Sequence, residues 1–207
     1  MTLTATEGLL IAGNLRPSDW HERKRRLLEN SDEKLWAQTF EEFFYQRLSL
    51  RYLKPIHTLQ NEGTCLGEGF SIVTIQCALI EFLAATKEGK NYRFKNPGEH
   101  EYRESGKLFT KFLLTESPFN GWFVKLEQAE EFYANVRCAL LHEARTKGGW
   151  RIWASGEIAV DPGNRLVRRD ALQKGIDKYI EGYGRILSVD LGLQRAFIRK
   201  FDNLSIG

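Results

Sequence analysis

The sequence predicts a mainly α fold: a helical bundle with a small β-hairpin or ribbon inserted before its C-terminal helices. Three observations carry this. Apolar residues recur at helical spacing through most of the chain ahead of Trp150. One stretch, "FSIVTIQCALIEFLAATKEG", is apolar almost all round and, at about twenty residues, too long for a buried strand. From Trp150 the pattern alternates around a strong turn signal, then returns to helical periodicity after Asp170.

The elements follow in order. Residues 1–17 have no clear period, end in Pro17 and read as an arm. "PSDWHERKRRLLEN" reads as a short basic helix with Ser18 or Asp19 as N-cap. In "SDEKLWAQTFEEFFYQRLSLRYLKPIHTLQ", Ser31 opens a capping-box-like start, and Leu35, Trp36, Phe40, Phe43, Phe44 and Leu48 fall at helical spacing. Pro55 is expected to kink or end that helix. "NEGTCLGEG" is a turn-rich break, and Gly89 is a natural C-cap for the apolar helix that follows it.

"KNYRFKNPGEHEYRESG" is polar and loop-like, and "KLFTKFLLTESPFNGWF" holds a short helix stopping before Pro118. "VKLEQAEEFYANVRCALLHEA" is a helix with Leu126, Ala129, Phe132, Tyr133, Val136, Ala139, Leu140 and Ala144 on its apolar side, ending before Gly148-Gly149. Strands are expected near 151–154, 157–161 and 165–168, with Asp161-Pro162-Gly163-Asn164 as a turn. Such a ribbon needs to pack on the helices. Asp170 is placed to cap the next helix, and a short helix near 193–203 follows. The organisation expected is an arm and basic helix over 1–30, then one helical bundle over 31–207 with the ribbon at about 150–168.

Composition sets broad limits. The 207 residues suit one domain. A hydrophobic content of 42% with 12% aromatics is enough for a sizeable core. The 30 basic and 27 acidic side chains leave a net charge of +3, which permits an acidic partner such as RNA without demanding one. Cys65, Cys77 and Cys138 show no CxxC spacing and read as small buried hydrophobes in a reducing compartment. No signal peptide is evident and no run approaches the roughly 18 apolar residues of a membrane span. The expectation is a cytoplasmic protein without membrane contact.

The chemistry-bearing feature is "NVRCALLHEARTKGGW", where Arg137 and His142 interrupt an apolar helical run. Arginine is permanently cationic and forks onto phosphate oxygens. Histidine gives or takes a proton near neutral pH. Together they suit metal-independent cleavage of RNA, one group polarising the phosphate and the other handling the 2′-hydroxyl or the leaving oxygen. Apparent metal ligands are scattered, so neither metal nor cofactor is expected. Five residues of straight helix turn about 500°, so the two side chains leave about 140° apart. Either a distorted helix or a two-fold copy would bring such groups together. The bland alternative is an arginine that pairs with an acid and a histidine with an ordinary polar contact.

The segment "YANVRCALLHEARTKGGW" resembles the signature helix of the HEPN superfamily, whose motif is Arg, four to six residues, then His, near the end of a helix in a helical bundle. "SIVTIQCALIEFLAAT" is similar to that family's long buried helix carrying an acidic residue, and the ribbon with its terminal helices to an elaboration in some bacterial branches. The resemblance covers residues 35–203. It implies a metal-independent endoribonuclease of toxin–antitoxin, phage-defence or RNA-processing type, acting as a homodimer through the helix at 126–144. An antitoxin or other protein partner belongs to that picture. It makes Arg137 and His142 the catalytic candidates and Glu81 a partner that orients Arg137; a surface glutamate is the alternative. Active members usually carry Asn, Asp or His directly after the motif arginine; Cys138 stands there in this chain. Some branches have lost catalysis and act as nucleotide- or protein-binding modules.

Arg145, Lys147 and Arg151 flank the proposed cleft and are the candidates for holding an RNA backbone. Arg165, Arg168 and Arg169 add to that face, and Trp150 and Trp153 are candidate base-stacking groups, or ribbon residues packing on the helices. "HERKRR" at 21–26 reads as a phosphate-contacting face or the solvated side of a helix. His21, His57 and His100 receive no role. "GTCLGEG" lacks the Lys-Ser/Thr of a phosphate loop.

Overall fold

The computed structural model describes residues 9–30, 32–63 and 66–206. The expected roles of residues 1–8 as part of an arm, of Ser31 as a cap and of Cys65 as a buried thiol therefore lie outside the described residues. The fold is mainly α, with seven helices and a few small strands among the described residues. The chain groups into two compact units: Met1–Leu53, Ala85–Arg103 and Glu181–Gly207 form the first, and Lys54–Ala84 with Glu104–Ile180 the second.

Helix α1 is Pro17–Glu29. Its N-cap is Arg16 rather than Ser18 or Asp19: Pro17 takes the first helical position, and the Asp19 carboxylate accepts the Arg16 backbone N–H at 2.7 Å. Helix α2 runs over 33–62, and Asp32 caps it by accepting the Leu35 N–H at 2.7 Å. It contains two π-helical segments, Phe40–Tyr45 and Ser49–Leu53. Pro55 does not end it, as α2 continues to Glu62. A proline ring crowds the carbonyl four residues back, here Arg51. That residue sits in the second π segment, whose wider turn relieves the crowding.

Helix α3 is Glu68–Glu88 and α4 is Ser105–Thr115, with the two-residue strands β1 (Asn91–Tyr92) and β2 (Glu101–Tyr102) paired in parallel between them. Helix α5 spans 126–143 and holds a π segment at Tyr133–Cys138. Strands β3 (Arg151–Trp153), β4 (Val160–Asp161) and β5 (Leu166–Arg168) precede helices α6 (Arg169–Leu187) and α7 (Leu191–Leu204). By length and composition α3 is apolar enough to cross a membrane, contrary to the sequence expectation, although the window concerned is 56% buried within the protein.

In the first unit the core is aromatic. Trp20 of α1 meets Phe43 of α2 at 5.4 Å and Phe201 of α7 at 5.1 Å between ring centroids, and Phe197 stacks on Phe201 at 4.4 Å. The buried indole N–H of Trp20 is satisfied by Asp202 at 3.0 Å. Ile11 and Ala12 are fully buried, and Arg47 donates to the Ile11 carbonyl at 2.5 Å, so this part of the expected arm is packed. Gly89 ends α3 at φ +62°; a Cβ there would lie 2.6 Å from the Ala196 backbone. Arg199 and Lys200 donate to the carbonyls of Glu88 and Lys90, supplying partners that the end of α3 lacks.

In the second unit Phe112 of α4, Phe119 and Tyr179 of α6 form one ring cluster, while Phe109, Phe123, Phe132 and Trp150 form another. Gly175 of α6 lets Trp122 approach so closely that a Cβ would sit 2.3 Å from the indole. The sheet has strand order β3-β5-β4. β4 and β5 are antiparallel across the predicted turn, where Asp161 accepts from the backbone and side chain of Asn164 at 3.0 and 2.8 Å. β3 joins β5 in parallel, so the ribbon is a mixed three-stranded sheet rather than a hairpin alone.

Candidate functional site

Arg137 lies inside the π segment of α5, and Glu81 lies on the stretch of α3 within the same unit. Arg137 Nη2 donates to Glu81 Oε2 at 2.7 Å, with the two side chains only 18% and 15% exposed. Tyr133, one turn earlier on α5, places its ring 5.4 Å from the guanidinium carbon. The Tyr133 hydroxyl in turn shares a 2.7 Å hydrogen bond with Ser105 Oγ at the start of α4. Three helices thus fix one arginine by an ion pair, a ring face and, through the tyrosine, a hydroxyl.

The electrostatics follow from that packing. Burial works against the Arg137 charge, but the Glu81 carboxylate more than offsets it, and the guanidinium's pKa is raised. Burial raises the Tyr133 phenol, a shift opposed by the Ser105 hydrogen bond and the Arg137 charge. Cys77, one turn before Glu81 on α3, is fully enclosed and its thiol is pushed up to about 12 by burial. Cys138 is half-buried, with Sγ 4.0 Å from Arg137 Nη1; both cysteines are free thiols.

His142 stands on the exposed side of the final turn of α5, which ends at Ala144 with φ +53°. Among the described residues no hydrogen bond or ion pair joins it to Arg137. The structure therefore gathers Arg137, Glu81 and Cys138 and leaves His142 apart from them within one chain. The neighbouring cations are also less available than the sequence suggests. Glu143 binds Arg145 at 3.0 Å and also Lys147, and the hydrogen bonds from Lys147 and then Arg145 lower the Glu143 pKa. Such exposed pairs are weak and open readily.

Arg151 is exposed on β3, where its guanidinium carbon lies 5.8 Å from the Trp153 ring. Arg165 faces Glu131 at 3.7 Å, and Arg169 is buried against Glu68 at 2.7 Å, so Arg169 belongs to the interior rather than to a cationic face. The two tryptophans also part ways: Trp150 is 3% exposed and packs edge-on against Phe132, whereas Trp153 is 51% exposed. Period-two alternation puts positions 150 and 153 on opposite faces, but it does not say which face packs inward. Sequence reasoning did not pick out Tyr133 and Ser105; Tyr133 looked like one more apolar position. Its i, i+4 spacing from Arg137 was the available signal. Among the described residues no group of three or more His, Cys, Asp or Glu is placed to hold a metal ion.

Comparison of the chain with protein-family models, curated protein sequences and solved structures gave no match.

Proposed function

We propose that the chain is a HEPN-like protein that acts on RNA, a metal-independent endoribonuclease in which His142 handles protons and Arg137 stabilises phosphate charge. The observation that carries this reading is the held arginine: Arg137, in a distorted segment of α5, is fixed by Glu81 and Tyr133 while part of it remains accessible. π segments inside helices are frequent at functional sites. In the proposed step a histidine removes the proton of the ribose 2′-hydroxyl. That oxygen attacks the adjacent phosphorus, and the 5′-oxygen leaves with a proton. The products are a 2′,3′-cyclic phosphate and a 5′-hydroxyl. Arg137 balances the charge that builds on the non-bridging oxygens.

His142 is exposed on the last turn of the same helix, which suits a site completed by a second copy across α5. A binding module without catalysis is the second reading. It is favoured by Cys138 at the position after Arg137 and by the engagement of Arg145 and Lys147 with Glu143.

The test is incubation of the purified full chain with end-labelled single-stranded RNA in EDTA. The endonuclease reading expects cleavage with cyclic-phosphate ends and a loss of roughly 100-fold or more in His142→Ala and Arg137→Ala. No cleavage by wild type, or cleavage unchanged in His142→Ala, overturns it. Light scattering that finds only monomer under cleaving conditions overturns the shared site.

A further inference from the structure

In "WRIW" the side chains of Arg151 and Trp153 leave one face of β3 and Ile152 the other, as strand alternation requires. The parallel register sets Trp153 beside Arg168 of β5. The Trp153 indole is half open to water. It is flanked by two cations, the guanidinium carbons of Arg151 and Arg168 each lying 5.8 Å from its ring.

These cations are held in place. Arg168 Nη1 donates to the Ile158 carbonyl at 2.8 Å, and its stem crosses Gly156 so closely that a Cβ there would lie 2.2 Å from Cδ. Gly156 has φ +144°, so the loop is shaped for glycine and for that arginine. Arg151 Nη2 reaches the Asn164 carbonyl at 3.4 Å. Among the described residues neither guanidinium is in an ion pair. The acids nearby are Asp161, which Asn164 holds and whose carboxyl the Arg168 charge also helps to lower, the exposed Glu157 of the β3–β4 loop, and Glu68, which is paired with Arg169.

A cavity of about 400 Å³ opens beside this ring, lined by Trp153, Ile152, Phe70, Gly69 and the Glu68–Arg169 ion pair among others, with Arg151 and Arg168 outside the lining, over the ring. Phe70 is itself 40% exposed, so two aromatic side chains border the space. Gly69 permits the closeness of α3 to β3, because a Cβ there would lie 3.2 Å from Ile152 Cγ2. The size is that of a small-ligand pocket.

We infer that this cavity takes a nucleobase of single-stranded RNA, stacked on Trp153 and bordered by Phe70, while Arg151 and Arg168 meet the flanking phosphates. A flat apolar occupant alone would not call for two guanidiniums outside any ion pair beside the ring, and a bare anion would not call for the indole. Bases in a duplex are already stacked and cannot enter a recess, so the strand is single. The assignment rests on the RNA reading above only for the choice of ribose.

The test measures binding of a fluorescent 2′-O-methyl RNA decamer, which cannot be cleaved through its 2′ oxygen, so that loss of cleavage and loss of binding are separable. Wild type binds the decamer, and Trp153→Ala, with an unchanged far-UV spectrum and melting temperature, binds about tenfold or more weakly, the scale of one lost stacking contact. Trp153→Phe retains most of the affinity. Arg151→Ala with Arg168→Ala lowers the slope of log affinity against log salt by about 1.4, the value for two phosphates on a single strand. The inference is overturned by wild-type affinity in Trp153→Ala or an unchanged salt slope in the arginine double variant. Equal affinity for a duplex or for a free mononucleotide overturns it too, whereas equal affinity for a DNA decamer of the same sequence supports the stacking site and removes only the choice of ribose. Binding that behaves as expected in a protein that never cleaves RNA supports this site and removes only the nuclease reading.

Discussion

Replacing Glu81 by Gln leaves a side chain of nearly the same shape but removes the charge facing Arg137. The guanidinium is only 18% exposed and keeps at most a neutral amide acceptor in place of its 2.7 Å carboxylate partner, so the uncompensated charge dominates the outcome. Breaking an enclosed ion pair from one side costs about 3–5 kcal/mol. The remaining solvent contact and the Tyr133 ring reduce this to about 2 kcal/mol. For a chain of this size that is a fall in melting temperature of about 4–8 °C. Arg137→Gln should cost a comparable amount, since it removes the charge that faces the carboxylate. The double variant should be less destabilised than the sum of the two, with a coupling of at least about 1 kcal/mol. Urea and thermal unfolding followed by circular dichroism supply all four corners of the cycle. If Glu81→Gln melts with wild type and the two changes simply add, the pair is not what holds Arg137, and the site as described here is wrong.

Three further outcomes follow from the same packing. Trp150→Ala should cost about 3–5 kcal/mol because the side chain is buried against Phe132, whereas Trp153→Ala should stay within about 0.5 kcal/mol, both read by urea unfolding. Gly89→Ala should lower the melting temperature sharply, by at least about 2 kcal/mol of stability, since the side chain meets both a positive φ and the Ala196 backbone. The buried Cys77 thiol, raised from about 9 to about 12, contributes stability that is complete below pH 9 and is lost as pH rises toward 12. Cys77→Ala should therefore show a shallower alkaline decline above pH 9 in a pH series of unfolding midpoints. The decline does not vanish, because burial raises the Tyr133 and Tyr183 phenols too.

Helix identity was legible where apolar spacing ran long, as in α5, and where an all-apolar run was too long for a strand, as in α3. Of the two outcomes expected at Pro55, the helix end did not occur, because a proline's cost is local, while the relief, a π turn just before it, is a property of the whole helix and its packing. The parallel pairing of β3 with β5 was hidden for a related reason. Alternation marks a strand and its two faces but not its partner. In the candidate site, Arg137 and His142 stood out as polar residues in an apolar run. Glu81 was legible only through the resemblance, since its contact with Arg137 joins residues far apart in sequence. The availability of Arg145 and Lys147 could not be read from their own positions, because it depends on whether Glu143 turns toward them.

The aromatic cluster of the first unit has a consequence for synthesis. Trp20, Trp36, Phe43 and Phe44 emerge early, yet the rings that cover them, Phe197 and Phe201, belong to α7. At about 5–20 residues per second, the interval between Trp36 and Phe197 is on the order of ten seconds. For that time the nascent chain carries a bare patch of tryptophan and phenylalanine with no native surface to receive it. Its yield in the cell should therefore depend on chaperone supply and on translation speed over the residues in between, quite apart from how stable the finished protein is.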